Sequence, residues 1–427
     1  MSLWLYNLLT GAYFLGIRLA AFFSGKANSW VQGRRGIFKK MDMALQNRDK
    51  NRPLLWMHCA SLGEFEQGRT VLESLRNEMP GLQVFLTFFS PSGYEIRKNY
   101  QGADWVFYLP SDTARHASAF LQLLQPSLAV FVKYEFWYHY LSALKQRQIP
   151  AYLIAAIFRE KHPFFQWYGT LHRRMLACFS KLYVQDEESL KLVATVTETP
   201  VQLAGDTRVD RVAEIAQMPA DLPWLEKFCG GSPVLVCGST WPDDEKVIHQ
   251  FAQAPEFGIW KIILAPHDIQ AAHLQAIERQ FQGSIFRYSQ LEKQAGQGSG
   301  AARILLIDNI GMLSKLYRYA KVAYIGGGFG SGIHNTLEAI AYCVPVIFGP
   351  AHGKFAEAIW LKENGGGFPI QNAEGFLEAM RYLQLGEQAK ASGKTAFQYI
   401  QTNQGATQTI ARELLAVLGR ASQKTGG

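Results

Sequence analysis

Two stretches carry residue types suited to chemistry. In His58–Arg69, HCASLGEFEQGR, the small residues Ala60, Ser61 and Gly63 allow close approach at a helix start, and Glu64 follows directly. A carboxylate held at a strand-to-helix turn can act as a general base, while a first-turn glutamate also complements a helix dipole; the residues alone leave both open. The second stretch is Lys321–Pro350, KVAYIGGGFGSGIHNTLEAIAYCVPVIFGP. Val322–Ile325 predicts a strand and Asn335–Cys343 a helix, with Gly326, Gly327, Gly328, Gly330 and Gly332 between them. Glycines there let the backbone approach a ligand, and the N–H groups of the following helix favour an anion such as a phosphate, although such turns also serve packing alone. His334, Asn335 and Glu338 leave the ligand end of that helix, and Glu338 is placed to accept hydrogen bonds from ribose hydroxyls.

Other turns repeat the arrangement more weakly. Ser90, Ser92 and Gly93 in TFFSPSGYE form a polar turn that reads equally as an acceptor or phosphate contact or as a helix cap. Lys133 and Glu135 in KYEFW emerge after another apolar run, where a structural ion pair is an equal account. Ser239 and Thr240 in GSTW, Pro266 and His267 in APHD, and Asp308–Gly311 end further strands. Arg208 can place a cation near a leaving phosphate, with a solvated surface arginine as the alternative. No HExxH, clustered Asp/His, DxD or GxSxG pattern is present, so catalysis by base and electrostatics, with no metal and no cofactor, is the expectation.

Length and pattern supply the scaffold. A chain of 427 residues predicts two cores. From Leu54, continuous apolar runs alternate with helical stretches to Val201–Ala204, and a second series begins at Val234 and ends at Val346–Phe348. Such runs predict parallel sheets covered on both faces. The expected fold class is α/β, with two Rossmann-like domains, a linker within residues 206–232 and the ligand site at the carboxyl ends of the strands. The expected divisions are residues 1–40 (a membrane-associated helix and basic flank), 41–215 and 216–427.

The net charge of +8, from 43 Lys and Arg against 35 Asp and Glu, suits an anionic surface or phosphorylated substrate. No Lys/Arg block interleaved with aromatics points to nucleic acid. The five cysteines form no CxxC pair and read as buried thiols of a reducing compartment. Gln294–Gly300 and Ser422–Gly427 are expected to be disordered. Leu3–Phe23 is apolar over about the length of a bilayer span but contains Arg18; with Asn7, Gly11 and Arg18 on one face and Phe14 intruding, it predicts a helix in the membrane interface. A single span and a helix packed on the protein body are the other readings. Lys26, Arg34, Arg35, Lys39 and Lys40 would keep this flank cytoplasmic.

In their order along the chain, SLGE, TFFSPSG, EFW, GSTW, IHNTLE and PVIFGP resemble the bacterial Kdo transferases, which move 3-deoxy-D-manno-octulosonic acid (Kdo) from CMP-Kdo to a lipid A precursor in lipopolysaccharide synthesis. The resemblance implies a GT-B fold, an inverting, metal-independent reaction and a bacterial inner-membrane enzyme with its active site on the cytoplasmic side. It implies Glu64 as the base and places Arg208 where the family commonly has a lysine; Ser61, Gly63, Ser90, Ser92 and Gly93 are the candidates for contact with the acceptor. Pro266, His267, Ile310, Gly311, Met312, Asn335, Thr336, Leu337 and Glu338 match CMP-contacting segments, beside Ser239, Thr240, Gly327 and His334. Lys133 stands where the family commonly has glutamate, leaving Glu135 as the supporting carboxylate. His267 replaces an arginine, IGM lacks the acid of the family's MGE, and the Gly326–Asn335 loop is slightly short. A GT-B enzyme using a UDP-sugar and a non-catalytic membrane-surface binding protein are the alternatives.

Overall fold

The structure, a computed structural model, describes residues 2–219, 222–291 and 302–425. They divide into two compact units: Met1–Asp210 with Gln404–Gly427, and Arg211–Asn403. The first holds a parallel sheet of β1 (Leu54–Cys59), β2 (Gln83–Phe88), β3 (Trp105–Tyr108), β4 (Leu128–Val132), β5 (Ala151–Ala156), β6 (Lys181–Val184) and β7 (Val201–Leu203), in the order β3-β2-β1-β4-β5-β6-β7. All residues of β1, β2, β4 and β5 are buried, as a sheet covered on both faces requires. The order reverses between β1 and β4, which opens a crevice at their carboxyl ends.

Three helices precede this sheet: α1 (Leu3–Ala20), α2 (Gly25–Arg34) and α3 (Ile37–Leu45). Helix α1 docks on the body of its unit through the face that carries Asn7. Tyr6 OH donates to Asp112 Oδ2 at 2.5 Å, His139 Nε2 lies 2.7 Å from Asn7 Oδ1, and Phe14 is buried. Asn7, Gly11 and Arg18 all stay exposed, with Asn7 also bonded to His139, while Phe14, which broke that face in sequence, belongs to the docked side. Beside Asn7 and Arg18, α1 exposes a run of large apolar residues: Trp4, Leu8, Leu9, Leu15 and Leu19, continued by Phe22 and Phe23. No single helix among the described residues is long and apolar enough to cross a membrane; α1 and α2 pass that test only as a pair bent by 116°.

After β1 comes α4 (Leu62–Glu78), and after β2 comes α5 (Pro91–Arg97). The helix Ala406–Thr425 departs from the expected 216–427 division by joining the first unit. Its Ile410, Leu414 and Leu418 share a core with Val71 and Leu75 of α4, and its Glu413 accepts from Lys181 Nζ and Tyr183 OH, both at 2.6 Å. This helix also occupies residues 422–425, which composition had marked as disordered, while Gln294–Gly300 lies outside the described residues.

The second unit's parallel sheet contains β8 (Val234–Thr240), β9 (Lys261–Pro266), β10 (Ile285–Arg287), β11 (Ile304–Leu306), β12 (Val322–Ile325), β13 (Val346–Phe348) and β14 (Gly367–Pro369), in the order β10-β11-β9-β8-β12-β13-β14. Its order reverses between β8 and β12, next to the glycine-rich turn. The three-residue strands β10 and β14 are additions to the sequence reading. All five cysteines are free; Cys59, Cys229 and Cys237 are buried as expected, but Cys178 is half-buried and Cys343 is exposed.

Candidate active site

In the first unit the turns after β1, β2 and β4 meet at one sheet edge. Phe89 N–H and Ser90 N–H donate to Cys59 O and Ala60 O, at 3.2 and 2.7 Å, so the Ser90–Gly93 turn lies against the start of α4. Ser61 is the N-cap residue of α4, and its N–H and Oγ–H donate to Glu64 Oε2 at 3.0 and 3.4 Å. Glu64 is half-buried. Burial, then the neighbouring Glu135 carboxylate, pushes its carboxyl above the ordinary range, with the Ser61 and Ala60 N–H groups and His58 opposing. A carboxyl so raised suits proton abstraction near neutral pH. The helix-cap account of Glu64 also holds, because its Oε2 serves the cap.

Behind Glu64 lies a pair that sequence reasoning missed. His58, fully buried on β1, places Nε2 2.7 Å from Glu135 Oε2, to which Trp137 Nε1 donates at 2.7 Å. Its Nδ1 faces the carbonyl and hydroxyl oxygens of Thr87, at 3.1 and 2.9 Å. Glu135 is thus a held partner of His58 that acts on Glu64 through its charge. The available signal was a histidine near the end of a wholly apolar run, where burial demands a polar partner.

Lys133 takes φ +68°, an uncommon backbone for a non-glycine residue, while its N–H donates to Ile154 O at 2.9 Å. Burial and then the Arg208 charge lower its ammonium, with Glu64 and Asp206 pulling the other way. Arg208, at the start of the helix Thr207–Gln217, pairs with Asp206 through Nη2 at 2.6 Å. Two cations therefore accompany Glu64, an arrangement suited to an anionic group on a reactant.

Ser90 caps α5 and its Oγ lies 2.9 Å from Ser92 Oγ, so capping accounts for both. A Cβ on Gly93 would strike Phe88, so this glycine serves packing. Gly63 differs: a Cβ there would meet nothing within 4 Å. Gly63→Ala should raise stability slightly, by about 0.5–1 kcal/mol, as expected for a helical glycine. If the acceptor lies close to this turn, its turnover falls in the same variant; thermal unfolding and a rate assay separate the two effects.

In the second unit the glycines divide by role. A Cβ on Gly326 would lie 2.3 Å from Ser239 O, and one on Gly328 would lie 2.6 Å from the Gly349 backbone. These two permit backbone-to-backbone packing rather than ligand approach. Gly327, at φ +89°, gives its N–H to the buried carboxylate of Asp244 at 2.9 Å, so that donor is not free for a phosphate. The helix expected over Asn335–Cys343 is confined to Leu337–Ile340, followed by a turn in which Cys343 takes φ +59°. One helical turn aligns few peptide dipoles, so an anion there must be held largely by side chains. Gly326→Ala is expected to cost about 1–3 kcal/mol by overpacking, read as a lowered denaturation midpoint.

Those side chains gather beside the β8/β12 reversal. Ser239 sits at an irregularity in the β8/β9 pairing with φ +55°, and His267 N–H donates to Thr240 O at 3.0 Å. The ring of His267, just after Pro266, stacks on Trp241 at 4.8 Å and on His334 at 4.5 Å, and Trp241 Nε1 donates to His334 Nε2 at 3.1 Å. Trp241 and His267 are exposed, so the stack presents an aromatic ledge. Burial and then His267 lower the His334 pKa, favouring its neutral ring. Asn335 Nδ2 donates to Glu338 Oε1 at 3.2 Å, while burial raises the Glu338 carboxyl. Thr336 Oγ1 is buried without a partner, as is Oδ1 of Asn309, within the Asp308–Gly311 strand end. Leu337 is buried and so contributes packing. Ile310 is 86% exposed, Gly311 takes φ +95° and Met312 Sδ accepts from Asn309 Nδ2 at 2.8 Å, at the end of β11.

Two parallel α/β sheets, each reversing beside a polar edge, define a protein of the GT-B kind. In agreement, a UDP-GlcNAc 2-epimerase from Neisseria meningitidis bound to UDP-GlcNAc shares the fold at a TM-score of 0.58 and 13% identity, covering 86% of this chain and 100% of that one. A UDP-GlcNAc 2-epimerase from Methanocaldococcus jannaschii does so at 0.52 and 14% identity, covering 82% and 99%. The family model for 3-deoxy-D-manno-octulosonic-acid transferase (kdotransferase) matches residues 31–211 of this chain. The 3-deoxy-D-manno-octulosonic acid transferase of Chlamydia muridarum is 27% identical over 431 residues, covering 93% of this chain and 97% of its own. That of Aquifex aeolicus is 27% identical over 324 residues, covering 74% and 82%.

Proposed function

We propose that this chain transfers Kdo from CMP-Kdo to a lipid A precursor with inversion, using Glu64 as the base. The observation that carries the reading is a half-buried carboxylate with a raised pKa at the β1/β4 reversal, accompanied by Lys133 and Arg208, in a chain whose residues 31–211 match the Kdo transferase family model. The acceptor hydroxyl attacks the anomeric carbon of Kdo. Glu64 takes its proton, the bond from that carbon to the CMP phosphate oxygen breaks, and CMP leaves. Lys133 and Arg208 suit the Kdo carboxylate or the charge developing on the departing phosphate. The aromatic ledge of Trp241 and His267, with Thr336 and Glu338, is our candidate for the nucleotide. Ser61, Gly63 and the Ser90–Gly93 turn are the candidate acceptor surface.

The reading extends to a peripheral enzyme on the cytoplasmic side of the bacterial inner membrane. Supporting it are the apolar exposed side of α1 and the basic residues that follow. Leu8→Ser with Leu19→Ser, both on exposed positions, should lower binding to anionic vesicles at least tenfold with little change in unfolding. Unchanged sedimentation with vesicles would remove α1 as the contact.

The nucleotide preference tests the donor. CMP should protect the second unit from proteolysis and inhibit transfer, and UDP should do neither at equal concentration. Protection by UDP and not CMP would favour a UDP-sugar enzyme. Binding of CMP and lipid without transfer from CMP-Kdo would favour a non-catalytic binding protein.

A further inference from the structure

A second pocket lies in the first unit, between the amino-terminal helices and the chain after β3. Its volume is about 510 Å³, and it is lined by the cations Arg18, Arg34, Arg35 and Lys39, by Trp30 and by apolar side chains that include Phe14, Ile37 and Phe38. No aspartate or glutamate lines it among the described residues.

Two features single it out from an ordinary basic surface. Trp30 is 6% exposed, yet its indole N–H, a donor only, has no partner. The Arg34 guanidinium lies 3.8 Å from the Trp30 ring centroid and donates to Leu109 O, Phe89 O and Trp30 O at 2.8, 2.8 and 3.2 Å, all uncharged acceptors. Burial pushes its pKa down to about 9, and no carboxylate figures among the groups opposing that fall. A half-buried cation without a counter-charge and an orphaned buried donor on one pocket wall ask for an anionic oxygen.

The rest of the lining chooses the ligand class. Free phosphate would satisfy the cations and leave Phe14, Ile37 and Phe38 wet; a neutral lipid would do the reverse. Arg18 lies on α1, whose outward side carries the exposed Leu15 and Leu19, so the pocket continues an apolar surface. We infer that this pocket binds an anionic glycerophospholipid, its phosphate against Arg35, Lys39 and the Trp30 N–H and part of an acyl chain on the apolar wall. The site is separate from Glu64 and its occupancy is measurable without donor or turnover, so it stands or falls independently of the transfer reaction.

The test is equilibrium dialysis of the full chain in nonionic detergent with dihexanoyl phosphatidylglycerol below its micelle concentration. Binding at least tenfold tighter than that of dihexanoyl phosphatidylcholine is expected, with a fivefold or greater loss in Arg35→Gln/Lys39→Gln and in Trp30→Phe. Trp30→Phe keeps an aromatic ring of smaller size and deletes the unpaired donor, so its unfolding midpoint is measured beside that of Arg35→Gln/Lys39→Gln, and a loss of binding at an unchanged midpoint is the expected result. Lys26→Gln, outside the pocket, should bind like the parent. Equal affinity for the two lipids would overturn the proposal, as would undiminished binding in the variants. Displacement by inorganic phosphate at equal concentration, or by a tetra-acylated lipid A precursor with matching affinity, would assign the pocket to a free anion or to the acceptor instead.

Discussion

Glu64→Gln is expected to lower the rate of Kdo transfer by about a thousandfold, within the range typical for loss of a general base, while leaving CMP affinity nearly unchanged. The amide is the same size and its oxygen can still accept from the Ser61 N–H, so the start of α4 should hold. It cannot take a proton. The pH profile supplies a second readout. The base works ionised, and burial with Glu135 raises its carboxyl, so kcat/KM should rise with pH through an apparent pKa above the ordinary glutamate range. Below that value the protonated carboxyl is inactive, and in Glu64→Gln the limb should disappear. A variant that keeps full activity, or keeps the limb, removes Glu64 as the base.

Asp244→Ala is expected to have the largest effect on stability. The residue is 1% exposed and accepts from Tyr324 OH at 2.6 Å and from the N–H groups of Gly327 and Trp241, both at 2.9 Å. Removing the carboxylate strands two buried donors, at about 1–3 kcal/mol each, for a total on the order of 4 kcal/mol. Because the same side chain ties the glycine-rich turn to the residue that opens the aromatic ledge, CMP binding should fall along with the denaturation midpoint. Asp244→Asn should be milder. Its Oδ1 can accept from the two backbone groups while its Nδ2 donates to the Tyr324 oxygen, an option alanine lacks. Equal losses in both variants would mean that the charge, and not the hydrogen-bond pattern, holds the turn.

The sheets were legible because strands covered on both faces read as unbroken apolar runs: LLWMHC and LAVFV need no partner information to be recognised. Strand β14, GFP, carries too little pattern in three residues, one of them a proline. The helix Ala406–Thr425 shows its apolar stripe at Ile410, Leu414 and Leu418, which says that it packs but not on which unit. For the glycine-rich turn the residue types were read correctly and their causes were not. Gly326 and Gly328 answer to Ser239 and Gly349, which are distant in sequence and adjacent only once the sheet forms. One contact of α1 was illegible for a similar reason. Asn7 looks solvent-bound until His139 is placed opposite it. Among the site residues, Glu64 and Arg208 could be named from motif position, whereas His58 needed the fold to bring Glu135 and Trp137 around its buried ring.

The most direct measurement is transfer from CMP-Kdo, generated in situ, to a tetra-acylated lipid A precursor in detergent, with the product mass recorded beside a Glu64→Gln control. The account predicts a mass gain of one or more Kdo residues that is lost in the control; no Kdo product from enzyme that still binds CMP, or an equal gain in the control, would contradict it.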